Sequence, residues 1–168
     1  MKIKNYIITA LMLAMGFIFH ATIPGIAGMK FDLLLIFMIM AIILNPDIQN
    51  VIVSGLGGGI ITALTTTFPG GQIPNFIDKI ITALFIYALI EIMKNFKNDT
   101  IKSAILVGLG TFVSGSVFLS TAYFLIGLPA GFSLLMISVV IPTCIANIFM
   151  GLFVYKAITI ATKRAISH

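Results

Sequence analysis

Asn75, Asp78 and Lys79 stand at i, i+3 and i+4 in a stretch, 48–90, that otherwise carries no charge. At that spacing they share one face of a helix, with Thr82 a turn further on. An acid beside a base, flanked by amides, can hold a zwitterion: a lysine for a carboxylate, an aspartate for an ammonium. The start of the same helix adds a partial positive charge for an anion. Charged side chains cost at least ~2.5–3.5 kcal/mol each at mid-bilayer and less near its edge, so inside a membrane protein they usually face a cavity or a partner. The candidate binding set is Lys30, Gln72, Asn75, Asp78, Lys79 and Asn147, with Lys30 or Lys79 for the carboxylate and Asp78 for the ammonium. Phe68, Phe76 and the glycines beside them can border a slot for a flat ring.

The elements that position these residues are membrane helices. The chain is 60% hydrophobic and only 9% charged, with a mean hydropathy of +1.17, whereas a soluble domain is about 25% charged. Uncharged runs cover 5–29, 33–46, 48–77 and 103–155. The last is long enough for two helices of about 20 residues and a turn. Strands are excluded because a membrane barrel needs alternating segments of about ten residues, and none is present. The expected fold is all-α: a single integral membrane bundle over 1–168, of six transmembrane helices at about 4–20, 31–44, 48–68, 75–94, 101–126 and 133–162. Pro142 bends the last of them, since its ring removes one backbone hydrogen bond. No cleavable signal pattern is expected at the start of the chain.

Orientation follows from the basic residues. With both termini cytoplasmic, the inside carries Lys2, Lys4, Lys94, Lys97, Lys102, Lys156, Lys163 and Arg164, and the outside only Lys30 and Lys79. That is the positive-inside arrangement. It gathers His20, Lys30, Asp32, Gln72, Asn75, Asp78 and Lys79 at the outer end, with Thr62, Thr65 and Thr66 beneath them, and Thr143 and Asn147 on the last helix. The net charge of +5 does not point to nucleic acid, because it sits at helix ends rather than on a solvated face.

Plainer readings stand beside these. Lys79 can snorkel to headgroups while Asp78 pairs with it or with Lys30, Asn147 can serve as an interhelical hydrogen bond, and His20 can cap the end of its helix. The run Gly55-Leu56-Gly57-Gly58-Gly59 is read as close helix contact, not as a nucleotide loop, since no strand precedes it. Ala10 and Ala14, four residues apart, let another helix approach, either within the bundle or as a docking stripe for a separate membrane subunit. The single Cys144 implies neither a disulfide framework nor a metal cluster. GxxxxGK[ST], HExxH and GxSxG patterns are missing, so the chain is expected not to be an enzyme, to need no cofactor and not to use ATP by itself.

The run Gly70-Gly71-Gln72-Ile73-Pro74-Asn75 through Asp78-Lys79, with Gly28-Met29-Lys30 and Asn45-Pro46 through Gln49-Asn50-Val51, resembles the tryptophan transport protein (TrpP) family. That family resembles the substrate-binding S components of energy-coupling factor (ECF) transporters. The resemblance implies a six-helix S component in the bacterial cell membrane that captures L-tryptophan outside the cell. It also implies docking through helix 1, at Ala10 and Ala14, onto a transmembrane coupling subunit that carries two ATPases. Bulky Phe17 follows those alanines, so the stripe is short. The rival expectations are an S component for another small nutrient such as a vitamin, and a structural membrane protein without a ligand.

Overall fold

A computed structural model describes residues 2–22 and 32–166, and all regular structure among them is helical. Five long helices and one short one form the bundle: α1 Lys2–Thr22, α2 Leu33–Leu44, α3 Ile48–Thr65, α4 Gln72–Ile92 and α5 Asp99–Leu125, then a sixth apolar segment. This last segment starts as α6 Phe132–Leu135, passes through one π-helical turn at Met136–Val140, and continues as α7 Ile141–Ile166. Among the described residues, five segments are long and apolar enough to cross a membrane. Their outward faces carry large apolar side chains such as Leu64, Phe124, Phe149 and Phe153. The chain is therefore a multi-pass membrane bundle, with a surface suited to lipid instead of water.

α2 is the exception that organises the rest. Its 12 residues span only about 18 Å at 1.5 Å per residue, short of the ~30 Å of a bilayer core. Every residue from Leu33 to Ile42 is buried, as expected of a helix that is apolar all round. It touches α1, α3, α4, α5 and α7, so it is the central post of the bundle. Asp32 caps it, with Oδ1 accepting the backbone N–H of Leu35 at 3.1 Å. At its other end Asn50 is fully buried and donates to the carbonyls of Ala41 and Asn45 at 3.1 and 2.8 Å, while its Oδ1 lies 2.6 Å from the Thr9 hydroxyl of α1.

α3 lies against α4 through the glycine run. A methyl built on Gly55 would meet Ala83 Cβ at 3.0 Å, and one on Gly59 would meet Phe76 Cδ2 at 3.0 Å. That is close helix contact, the role expected from the sequence. The boundaries differ in physically simple ways. α3 stops at Thr65 rather than at Phe68, because Thr66 is extended and the loop to Gly71 turns through Gly70, at φ +74. α4 starts earlier than expected, at Gln72, since Pro74 in the first turn has no donor that the helix needs. The expected bend at Pro142 takes the form of the π turn just ahead of it. There the N–H of Ile141 donates to the carbonyl of Met136, five residues back. The proline supplies no N–H to Ser138, and its ring crowds that carbonyl.

Candidate functional site

Because α2 is short, its cap falls inside the bundle, and α4 presents Lys79 to it. Lys79 is fully buried, and its Nζ lies 2.6 Å from Asp32 Oδ2. The same ammonium also pairs with Asp78 Oδ2 and reaches Ser114 Oγ on α5 at 3.3 Å. Asp78 is itself fastened, with Oδ1 accepting from Thr82 Oγ1 at 3.1 Å. Two carboxylates and one ammonium thus form a cluster shared by α4 and the cap of α2. The plainer reading of Lys79 holds for its pairing with Asp78 but not for snorkelling: the side chain is buried among these partners.

Beside the cluster is a hollow of about 80 Å³. Its polar lining is His20 from α1, Asp32, Thr66 and Thr67 of the loop, Asn75 and Asp78 from α4, Thr111 and Ser114 from α5, and Thr143 from α7. Leu35, Phe68, Phe118, Val139 and Val140 form its apolar wall. Phe68 and Phe118 meet edge to face, with ring centroids 5.4 Å apart. The π turn adds Val139 and Val140 to the same apolar cluster, and α5 approaches so closely there that a methyl on Gly115 would stand 2.7 Å from Val140 Cγ1. A π-helical turn inside a long helix is a recurrent feature of functional sites. A wider hollow of about 440 Å³ opens at the other end of the bundle, among Ile43, Pro46, Ile90, Leu106 and Tyr155. Its charged neighbours are the exposed Asp99 and the half-buried Lys102.

The residues expected from the sequence divide clearly. Asp78 and Asn75 line the hollow, and Asn75 Nδ2 donates to the carbonyl of Gly71 at 2.8 Å. Lys79 is one layer behind, in contact with Asp32 and Asp78. Asn147 is buried behind Thr111, donating to its Oγ1 at 3.1 Å and to the carbonyl of Asp32 at 3.4 Å, while its own Oδ1 has no partner among the described residues. Gln72 is exposed and does not line the hollow. Lys30 lies outside the described residues. Phe68 is at the wall as expected, but Phe76 faces Gly59 of α3, and Phe118 takes the place expected for it. His20 is buried, with Nδ1 2.8 Å from Thr65 Oγ1. The Thr65 hydroxyl also lies 2.7 Å from the Ile61 carbonyl. Ala10 and Ala14 are both exposed on α1.

Asp32 and the α5 residues are the additions. Thr111, Ser114 and Phe118 fall at i, i+3 and i+7, a single stripe of α5. That spacing puts them on one face of α5, but other small and hydroxylated residues of this helix share such spacings, so the sequence alone does not single them out.

The sequence model of the family described as Tryptophan transporter TrpP matches residues 2–163. A probable tryptophan transport protein of Bacillus subtilis (strain 168) is 42% identical over 166 residues, covering 98% of this chain and 96% of the relative. Another of that description, from Clostridium perfringens (strain 13 / Type A), is 41% identical over 172 residues, covering 96% and 94%. A third, from Clostridium acetobutylicum, is 40% identical over 159 residues, covering 94% and 93%. No solved structure matches the chain. A match over nearly the whole length, with relatives this similar end to end, establishes that the chain belongs to the TrpP family of tryptophan transporters.

Proposed function

We propose that this chain is the membrane-embedded binding subunit for uptake of L-tryptophan, driven by a separate ECF coupling subunit and two ATPases. The observation that carries this reading is the buried ion cluster set against an aromatic wall, Phe68 and Phe118, in a chain whose relatives are described as tryptophan transport proteins. Asp78 serves the ammonium of the zwitterion, Asn75 offers hydrogen bonds, and Lys30 is the cation for the carboxylate. Gln72 and Asn147 act from outside the hollow, at its rim and behind Thr111. The indole replaces the edge-to-face contact of the two phenylalanines. Burying a large aromatic side chain of ~150–250 Å² contributes roughly 4–6 kcal/mol at ~25 cal/mol/Å².

At about 80 Å³ the hollow is below the ~300 Å³ at which sites for drug-sized ligands begin. Entry of an indole therefore moves the 66–71 loop outward and parts Phe68 from Phe118. The site end of the bundle faces outside the cell and both termini are cytoplasmic, consistent with the basic residues crowding the opposite end. The exposed Ala10 and Ala14 leave α1 open to a helix of the coupling subunit. Calorimetry of the purified single subunit tests the reading: tryptophan binds saturably, and vitamins in excess do not displace it. Displacement by a vitamin, or no saturable binding of any of these ligands, overturns it.

A further inference from the structure

Resting on that reading of the site, we infer that the pocket selects its ligand by the ammonium group, through Asp32 together with Asp78, and that Lys79 is a positioning residue that never meets the ligand's carboxylate. The donor count carries this. A lysine ammonium has three N–H donors and no acceptor. Those of Lys79 go to Asp32, Asp78 and Ser114, so none remains for a ligand. The acceptor count runs the other way. Each carboxylate offers about four acceptor positions. Asp32 uses one on Leu35 N–H and one on Lys79, and Asp78 uses one each on Lys79, Thr82 and Ser114. Both line the hollow, and both retain acceptor capacity.

Charge agrees with this count. Two carboxylates and one ammonium leave the cluster itself with one net negative charge, and His20, which also lines the hollow, stands close to Asp32. Lys79 is 1% exposed at its side chain whereas Asp32 is 18% exposed, so the group a ligand reaches first is an acid. A group of like charge brought there is repelled, and an ammonium is neutralised where little water screens it. The function left to Lys79 is mechanical: it holds two carboxylates side by side that would otherwise repel each other or take up a proton.

Direct calorimetric titration of the intact protein with tryptophan, tryptamine (amine only) and indole-3-propionate (carboxylate only) tests this. Tryptamine is expected to bind at least about tenfold more tightly than indole-3-propionate, the scale of one hydrogen bond to a charged group. Asp32→Asn is expected to erase most of that preference. Lys79→Gln weakens all three ligands but leaves the ratio of tryptophan to tryptamine within about threefold of the original, since uniform loss marks a group that acts through its neighbours. Indole-3-propionate binding as well as tryptamine, or a ratio that collapses tenfold in Lys79→Gln, overturns the inference while leaving tryptophan recognition intact. Absence of binding by all three ligands overturns both. The comparison in the unaltered protein needs no variant to fold.

Discussion

Lys79 Nζ lies 2.6 Å from Asp32 Oδ2, so the middle of one helix is tied to the cap of another. The tie depends on the length of α2. A helix that spanned the full membrane would carry its cap to the surface and set Asp32 among headgroups. Ending early, it places a carboxylate at the depth that Lys79 reaches from α4.

Removing the ammonium strands both acids. Lys79→Met is expected to destabilise the protein by about 3–5 kcal/mol, the usual result of deleting one partner of a buried ion pair. Adding Asp78→Asn to that variant recovers part of the loss, with a coupling of ~1 kcal/mol or more. Unfolding midpoints of the purified variants in detergent provide the measurement. Strictly additive losses would show that the groups act independently.

Gly115 fixes the distance between α5 and the π turn. A methyl there stands 2.7 Å from Val140 Cγ1 and 2.8 Å from Val140 Cγ2, and Val140 is a buried, β-branched side chain that is stiff at χ1. Gly115→Ala is expected to cost about 1–3 kcal/mol by overpacking and to weaken tryptophan binding, because Val140 and Thr143 share that wall. Gly131, with nothing within 4 Å of the position of its Cβ, is the control: Gly131→Ala stays within ~0.5 kcal/mol. Equal behaviour of the two variants would contradict a tight wall.

Docking and capture are separable on α1. Ala10 and Ala14 are exposed and distant in sequence from every residue of the hollow except His20. Ala10→Leu with Ala14→Leu is expected to leave tryptophan affinity within about twofold, as surface substitutions on a folded bundle usually do, and to abolish uptake by cells. Cells that still accumulate tryptophan normally would remove the docking role of this face.

How much of this could be read beforehand depends on the range of the interaction. Local features were legible. The uncharged runs mark out the helices, the glycine run predicts where α3 meets α4, and the spacing of Asn75, Asp78 and Lys79 places them on one face. The shortness of α2 was legible too, from Phe31 to the break at Asn45-Pro46. The partner of Lys79 was not. Asp32 is far away in the sequence, and no periodicity links a helix cap to a side chain on another helix. Phe118 was hidden differently: α5 is 27 residues of small, hydroxylated and aromatic side chains, and the stripe facing the hollow emerges only once the neighbours of α5 are known. Phe76 was misplaced for the converse reason. It is adjacent to polar residues in sequence but turns toward Gly59.

The chain contains no tryptophan of its own, which makes the central claim open to direct observation. With excitation beyond tyrosine absorption, the only emitter in a titration is the added amino acid. Emission is expected to shift to shorter wavelength and saturate at one ligand per chain, and the shift is expected to vanish in Asp78→Asn. An emission spectrum that stays that of free tryptophan throughout, on folded protein, would contradict an enclosed site between α2, α4 and α5.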